Sequence, residues 1–249
     1  GSADEIEVTG VTAQAPGNSF VPAGYTGPWA YLRNVFAPGG LTDGVDYTLR
    51  QWRDPAASWP SKFRFEWMFP AANPAPSEFC WGYPALMWGA GPWGYPYGTS
   101  GHVTPMRAKD VGTFTIDVDL TFSGANNADV LIDFYVLKGA SGPVFDGDYF
   151  NEISILLSHN GVGPIDWLTT EATATHTFPA PLGDCAIYKQ PTSRQIMIMP
   201  RTGSTRREAL YDEIDCGSVI KELIRIGQVE GNGWLAGFEI GVETQRPNA

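Results

Sequence analysis

The sequence is poor in the residues that build metal and redox sites. Three cysteines and three histidines are present among 249 residues, at Cys80, Cys185, Cys216, His102, His159 and His176. None of them has the close spacing that zinc ligands adopt in a chain. We therefore expect no metal site, and the cysteines allow either one disulfide with a free thiol or three buried thiols.

Long apolar runs and an excess of basic charge are also lacking. No run approaches the roughly 20 residues that a membrane-spanning helix needs. The chain has 16 basic and 27 acidic residues, for a net charge of −11, which argues against nucleic acid or an anionic membrane as a partner. Residues 1–2 resemble the remnant of a tag, and no linker divides the rest, so we expect a single domain over residues 1–249.

Aromatic residues, glycine and proline are abundant: 9 Trp, 10 Tyr, 13 Phe, 29 Gly and 20 Pro. Between the turns, apolar and polar residues alternate, as in residues 113–122, TFTIDVDLTF. This alternation is typical of strands with one polar face. Many short strands at such spacing predict an all-β sandwich or a jelly roll, in which two curved antiparallel sheets pack together and form a concave cleft.

One late segment has helical spacing instead. Val219, Ile220, Leu223 and Ile224 recur on one helical face within residues 216–227. We expect Ser218 to cap the start of this helix and Gly227 to end it.

Four carboxylates lie within strand-like runs. Period-two counting places Glu152 on the polar side of its strand and Asp133 in the middle of an apolar strand. Glu239 and Glu243 share one face of a third strand with Gly241, whose missing side chain we expect to leave space for a ligand. Each acid taken alone is compatible with a solvent-exposed strand face, and their combination indicates a cleft.

Paired carboxylates are the chemical requirement of glycoside hydrolysis. One carboxylate attacks the anomeric carbon and a protonated one gives its proton to the leaving oxygen. A third acid nearby can keep the pKa values of the pair apart.

At these residues the sequence resembles glycoside hydrolase family 12, the jelly-roll endoglucanases and xyloglucanases. Residues 152–166, EISILLSHNGVGPID, resemble the family's nucleophile strand and its Pro-Ile-Gly loop. Residues 241–243, GVE, resemble its acid/base motif, and Asp133 in LIDFYV occupies the place of its third acid. The resemblance runs in order from about Trp29 to Thr244.

Some positions depart from the family motifs. Ser154 stands where the nucleophile strand usually has Met, and Leu156 where it usually has Trp. The aromatic of the family's N-terminal Asn-x-Trp-Gly element is replaced by Phe36, two residues after Asn34. We therefore interpret the chain as a divergent relative.

The resemblance implies a retaining endo-acting hydrolase of β-1,4-linked glucans, such as cellulose, mixed-linkage glucan or xyloglucan. Glu152 is the implied nucleophile, Glu243 the acid/base, and Asp133 the acid that hydrogen-bonds Glu152. Glu239 is the competing candidate for the acid/base. No cofactor is implied, and we expect a secreted monomer whose partner is a polysaccharide.

Substrate contacts are expected from aromatic and loop residues, namely Trp29, Asn34, Phe36, Trp88, Trp93, Tyr95 and Pro164. Two alternatives stay open at this point. A carbohydrate-binding jelly roll without catalysis would use the same cleft, and a structural β-sandwich would use the aromatics as an interface.

Overall fold

The computed structural model describes residues 4–11, 19–35, 40–70, 80–92, 103–121, 123, 128–140, 149–158, 172–189, 194–201 and 209–244. Within these residues, sixteen strands and one α-helix follow one another along the chain. The strands are β1 (Ile6–Glu7), β2 (Ser19–Phe20), β3 (Trp29–Leu32), β4 (Thr48–Arg53), β5 (Arg64–Met68), β6 (Ala85–Gly89), β7 (Met106–Arg107), β8 (Thr115–Thr121), β9 (Ala128–Leu137), β10 (Tyr149–Ser158), β11 (Ala174–Thr177), β12 (Asp184–Lys189), β13 (Gln195–Pro200), β14 (Ala209–Asp215), β15 (Trp234–Leu235) and β16 (Gly237–Thr244). The helix α1 spans Cys216–Arg225, and a short 3-10 helix spans Ala108–Asp110.

One large sheet dominates the fold. Its strand order is β11-β12-β13-β10-β9-β16-β6-β3-β2, with β15 and β7 extending from β9. Strands β1, β4 and β5 form a second sheet, and β8 pairs with β14 in a third. Neighbouring strands are antiparallel apart from β10 and β13, which are parallel. The parallel pair arises because β11, β12 and β13 form a meander that returns to β10.

The apolar face of the large sheet forms the main core. Alternate residues of its central strands, including Ile132, Phe134, Ile153 and Phe238, pack there and are almost fully buried. The layer that covers them comes from β8, β14, α1 and β5, with Ile116, Val118, Ile214, Val219, Ile220, Leu223, Phe65 and Trp67. Burying such side chains is the largest stabilising contribution in a fold of this kind.

The strand predicted over residues 113–122 is confirmed as β8. Ile116 and Val118 are buried, whereas Thr115, Asp117 and Asp119 are exposed. The alternation arises because one face of β8 packs on the core and the other faces water.

The late helix is confirmed, with a different N-cap from the one predicted. Asp215 caps α1, because its carboxylate accepts hydrogen bonds from the Ser218 backbone N–H (3.0 Å) and from the Ser218 hydroxyl (2.6 Å). The helix therefore begins at Cys216, inside the segment that we expected to precede it. After its last residue the chain turns at Gly227, which has a left-handed φ of +75°.

All three cysteines are free and buried. Burial raises the pKa of Cys185 and of Cys216 to about 12, with smaller contributions from Asp184 and Asp215 respectively. The structure thus corresponds to three buried thiols.

Candidate active site

Three carboxylates lie on one face of three adjacent central strands. Glu152 is on β10, Asp133 on β9 and Glu239 on β16. In the strand register Asp133 stands directly opposite Glu239 on one side and opposite Ser154 on the other. Glu152 pairs with Tyr135, two residues along β9 from Asp133. Directly opposite residues point to the same face of a sheet, so the three acids face a common region.

This acidic face is largely shielded from solvent. Asp133 is 4% exposed and Glu239 is 2% exposed, whereas Glu152 is half-buried. Isolated charges at such burial are strongly unfavourable. The alternative in which each acid simply occupies a solvent-exposed strand face is therefore wrong for Asp133 and Glu239.

Hydroxyl groups surround two of the three acids. The Tyr135 hydroxyl donates to Glu152 Oε1 at 3.4 Å. Asp133 accepts from the Ser154 hydroxyl and shares the Tyr83 hydroxyl with the Leu131 carbonyl oxygen, to which Tyr83 donates at 3.2 Å. Within the described residues, Glu239 Oε1 and Asp133 Oδ1 have no hydrogen-bond partner. Such orphaned buried oxygens are typical of a functional site rather than of a structural ion pair.

Burial and mutual repulsion raise the pKa values of all three carboxyls. The pKa of Glu239 rises to about 8 because of burial and then the charge of Asp133. The pKa of Glu152 also rises to about 8, through burial, then Glu239, then Glu243, while the Tyr135 hydroxyl lowers it. Burial and Glu152 raise the pKa of Asp133 well above its usual range, against the two hydroxyl donors. At neutral pH the cluster therefore retains protons.

Glu243 lies at the far end of β16. It stands opposite Asp129, four residues beyond Glu239, which is about 13 Å along a strand. We expected Gly241, which lies between them, to leave space for a ligand, and this expectation is wrong. A Cβ at Gly241 would lie 2.5 Å from the Pro84 carbonyl oxygen and 2.7 Å from Ala85 Cβ. Gly241 instead allows β6 to approach β16 closely.

The predicted hydrogen bond between Asp133 and Glu152 is not among the contacts of Asp133. Its hydrogen bonds go to Ser154 and Tyr83, and Glu152 acts on it through charge. The register explains this, because Asp133 is opposite Ser154 and one diagonal step from Glu152.

Two of the predicted substrate contacts, Trp29 and Trp88, lie on the face of the large sheet opposite to the acids. Trp88 is directly opposite Phe238 on β16, and Trp29 is directly opposite Trp88. The rings of Trp88 and Phe238 are stacked with centroids 5.7 Å apart, and Trp29 meets Phe238 edge-on at 5.5 Å. Both tryptophans therefore pack against the apolar core rather than facing the acids.

Of the other five predicted contacts, one lies within the described residues. Phe36, Trp93, Tyr95 and Pro164 lie outside the described residues. Asn34 is half-buried just after β3, with a φ of +42°, and its carbonyl accepts from the Tyr83 backbone N–H at 2.9 Å.

Sequence analysis missed two aromatics on the acidic face. Tyr149 and Trp234 both stand opposite Leu137, two residues along β9 from Tyr135. The Tyr149 ring meets the Tyr135 ring edge-on at 5.4 Å, and both Tyr149 and Trp234 are half-buried. Arg194 stacks over Tyr149 at 4.3 Å and Arg107 over Trp234 at 4.0 Å. Period-two counting back from Glu152 would not have found Tyr149, because a bulge interrupts β10 between Tyr149 and Asn151.

The described residues contain no group of three or more His, Cys, Asp or Glu side chains that could hold a metal ion. In the same part of the chain, no helix is long and apolar enough to cross a membrane.

Comparisons with known proteins identify the class of fold. No family model matches the sequence, and no curated protein matches it. Solved structures of glycoside hydrolase family 12 match over nearly the whole chain, so the jelly-roll fold and its resemblance to that family are confirmed in three dimensions.

The individual similar structures include a family 12 xyloglucanase from Bacillus licheniformis, with a TM-score of 0.70 and 11% identity over 97% of this chain and 93% of that one. An endoglucanase from Rhodothermus marinus matches with a TM-score of 0.67 and 17% identity over 97% of this chain and 92% of that one. An endo-1,4-β-glucanase matches with a TM-score of 0.61 and 15% identity over 94% and 91%. At these identities the likeness shows the fold.

Proposed function

We propose that this protein is a retaining endo-acting glycoside hydrolase of β-1,4-linked glucans, and a divergent member of family 12. The observation that carries the proposal is the register of Glu152, Asp133 and Glu239 on one face of β10, β9 and β16. The same fold is that of xyloglucanases and endoglucanases. Paired carboxylates in a shielded cleft are what this chemistry requires.

Glu152 is the proposed nucleophile. It is the most exposed of the three acids, so a sugar can reach it, and the Tyr135 hydroxyl stabilises its ionised form. A nucleophile must be ionised, and a hydrogen-bond donor to the carboxylate favours that state.

Glu239 is the proposed acid/base, in place of Glu243. It is 2% exposed, against 5% for Glu243, and burial raises its pKa to about 8, so its neutral form is favoured. It also stands opposite Asp133, whereas Glu243 stands opposite Asp129 at the end of the strand. Its effect on the pKa of Glu152 exceeds that of Glu243.

The reaction follows in two steps. A Glu152 oxygen bonds to the anomeric carbon while the glycosidic bond breaks, and the Glu239 proton passes to the leaving oxygen. The Glu239 carboxylate then takes a proton from water, whose oxygen attacks the anomeric carbon and releases Glu152. A separation of about 5–5.5 Å between the reacting carboxyls is the geometry that retention requires. No cofactor is needed for these steps.

The test is a reducing-sugar assay on mixed-linkage glucan, xyloglucan and carboxymethyl cellulose, with proton NMR to follow the anomer first released. We expect Glu152→Gln and Glu239→Gln each to lower kcat by about 10²–10⁴-fold. The matched control is Glu243→Gln, on the same strand and face as Glu239, which retains most of the activity. If Glu243→Gln lost activity and Glu239→Gln retained it, Glu243 would be the acid/base instead.

Binding of these glucans without turnover by the wild-type protein would favour the carbohydrate-binding alternative. Secretion, the monomeric state and the single-domain organisation stay predictions.

A further inference from the structure

Two arginines lie at one end of the acidic face. Arg107 on β7 stands directly opposite Trp234, which in turn stands directly opposite Leu137. Since directly opposite residues point to one face of a sheet, Arg107 belongs to the acidic face. Arg194 immediately precedes β13, and its carbonyl oxygen accepts from the Glu152 backbone N–H at 3.1 Å. This second arginine is therefore fixed beside the proposed nucleophile.

An aromatic ring and a backbone carbonyl hold each guanidinium in place. Arg194 Cζ lies 4.3 Å from the centroid of the Tyr149 ring, and its Nη1 donates to the Tyr149 carbonyl oxygen. Arg107 Cζ lies 4.0 Å from the centroid of the Trp234 ring, and its Nη1 donates to the Asn232 carbonyl oxygen. These contacts restrict both side chains, so less conformational entropy is lost when a ligand binds to them.

Both guanidiniums keep donors that the described part of the chain does not use. A guanidinium has five N–H donors, and each of these two makes one hydrogen bond within the described residues. No carboxylate in that part of the chain forms an ion pair with either, whereas Arg50, Arg64 and Arg225 each pair with a glutamate. The protein has 27 acidic residues against 16 basic ones, so the difference does not follow from a shortage of acids.

The acids of the cleft do not account for the two arginines either. The pKa of Glu152 depends on burial, on two other glutamates and on the Tyr135 hydroxyl. That of Glu239 depends on burial and on Asp133. Neither arginine contributes to these shifts, so the two positive charges do not serve to keep the proposed nucleophile or acid/base ionised. A negatively charged group on a bound ligand would supply the partner that they lack.

We propose that Arg194 and Arg107 form a subsite for a carboxylated sugar, so that the preferred substrate is a β-1,4-linked glucan that carries uronic acid residues. The proposal rests on the proposed function and names its substrate class. The planar fork of a guanidinium matches the two oxygens of a carboxylate, and the rings beside it offer apolar surface to the sugar. Tyr149 and Trp234 stand on either side of Leu137, so their backbones lie about two strand spacings, roughly 10 Å, apart. One oligosaccharide can therefore reach both arginines.

The experiment measures binding by isothermal titration calorimetry in the Glu152→Gln variant, so that turnover does not interfere. The ligands are cellohexaose and its analogue in which every C6 is oxidised to a carboxylate. A salt concentration of about 0.15 M screens the repulsion between the oxidised ligand and the net charge of the protein. We expect the oxidised ligand to bind more tightly than cellohexaose. Arg194→Gln should weaken its binding about tenfold and that of cellohexaose much less, and Arg107→Gln should act in the same direction.

The matched control is Arg50→Gln. Arg50 also lies over a tryptophan, Trp52, but on the second sheet, and it has a glutamate partner. The substitution makes the same change in charge and should leave both affinities unchanged. Arg194→Lys keeps the charge without the planar fork, so it should recover only part of the affinity for the oxidised ligand.

The outcomes separate this proposal from the proposed function. Equal weakening of both ligands by the arginine variants, or no binding of the oxidised ligand, overturns the subsite. Tighter binding of cellohexaose sulfated at C6 overturns the assignment to a carboxylate. If the Arg194 variants do not fold, Arg107→Gln carries the same comparison. Arginine-dependent binding of the oxidised ligand by a protein that releases no reducing sugar supports the subsite and overturns the proposed function alone.

Discussion

The two faces of the central strands differ in chemistry although both are buried. All ten residues of β9 are buried. Ile132, Phe134 and Val136 face the apolar core, whereas Asp133 and Tyr135 lie on the acidic face. Burial alone therefore does not separate the apolar face from the face of the proposed site. The difference lies in whether the buried groups find favourable partners, because the apolar side chains do and the carboxylates repel one another.

The apolar face is held by ring contacts. Phe134 meets Phe114 edge-on at 6.0 Å and Phe238 at 5.7 Å, and Phe238 also stacks with Trp88. The acidic face instead raises the pKa of each of its three carboxyls. We infer that the first face stabilises the fold and that the second reduces its stability, which is the usual relation at catalytic sites.

The sharpest test of this contrast uses two adjacent residues of β9. Phe134→Ala should lower the free energy of unfolding by about 3–5 kcal/mol, because it leaves a cavity among packed rings. Asp133→Asn conserves shape and removes a repelled charge, so stability should be unchanged or higher. Urea denaturation measures both. A comparable loss of stability in Asp133→Asn would mean that the acidic face holds the fold together.

Stability should also depend on pH through Glu239. Its pKa is about 8 in the folded protein against 4.5 for an ordinary glutamate. The folded state then binds the proton more tightly, so this contribution to stability is complete below pH 4.5 and is lost as pH rises toward 8. Between pH 4.5 and 7 the loss is roughly 3 kcal/mol, and Glu239→Gln should remove it.

The control for this pH dependence has the opposite sign. Arg225 lowers the pKa of Glu222 on α1, chiefly by hydrogen bonding. Glu222→Gln therefore removes a contribution that is present above pH 4.5 and is lost in acid. A steeper fall in stability with rising pH in Glu239→Gln than in wild type would contradict our account of the acidic face.

Period-two alternation predicts which face of a strand a residue occupies, and this was sufficient for part of the site. Alternation gives the strand faces that Glu152 and Asp133 occupy, because no bulge interrupts the pairing of β10 with β9 between Glu152 and Leu156. Glu239 and Glu243 lie on the same face of β16, so alternation cannot distinguish them. Their difference depends on which residue of β9 each one meets, and that register is a long-range property of the sheet.

Sequence patterns were also insufficient to place the aromatic residues Trp88 and Tyr149. Trp88 stands among glycines and prolines, which predicts a surface loop, but it belongs to β6 and meets Phe238 across the sheet. Tyr149 precedes a bulge that shifts its position relative to Glu152. The N-cap of α1 was misplaced by three residues because Asp215 and Ser218 are both good capping residues and bond to each other.

Aromatic substitutions on the two faces should have different effects. We expect Tyr149→Ala to raise KM about tenfold, equivalent to roughly 1.4 kcal/mol, through the loss of a sugar-stacking surface beside Glu152. Trp88→Ala should leave the KM of the folded protein unchanged and lower its stability, because its ring packs on Phe238. Steady-state kinetics and urea denaturation on both variants make the comparison. A KM effect confined to Trp88→Ala would assign sugar binding to the apolar face.

The smallest expected effect concerns a single hydroxyl on each face. Tyr135 donates to Glu152 Oε1 at 3.4 Å, and Tyr31, on the apolar side of β3, donates to Gln51 Oε1 at the same distance. Tyr135→Phe removes a donor that lowers the pKa of Glu152, so the acid limb of the pH–rate profile should move up by less than about one unit. Tyr31→Phe removes an equally long hydrogen bond away from the acids and should leave that limb in place. Equal shifts in both variants would show that the profile reports general loosening of the sheet, whereas a shift in Tyr135→Phe alone assigns the acid limb to ionisation of Glu152.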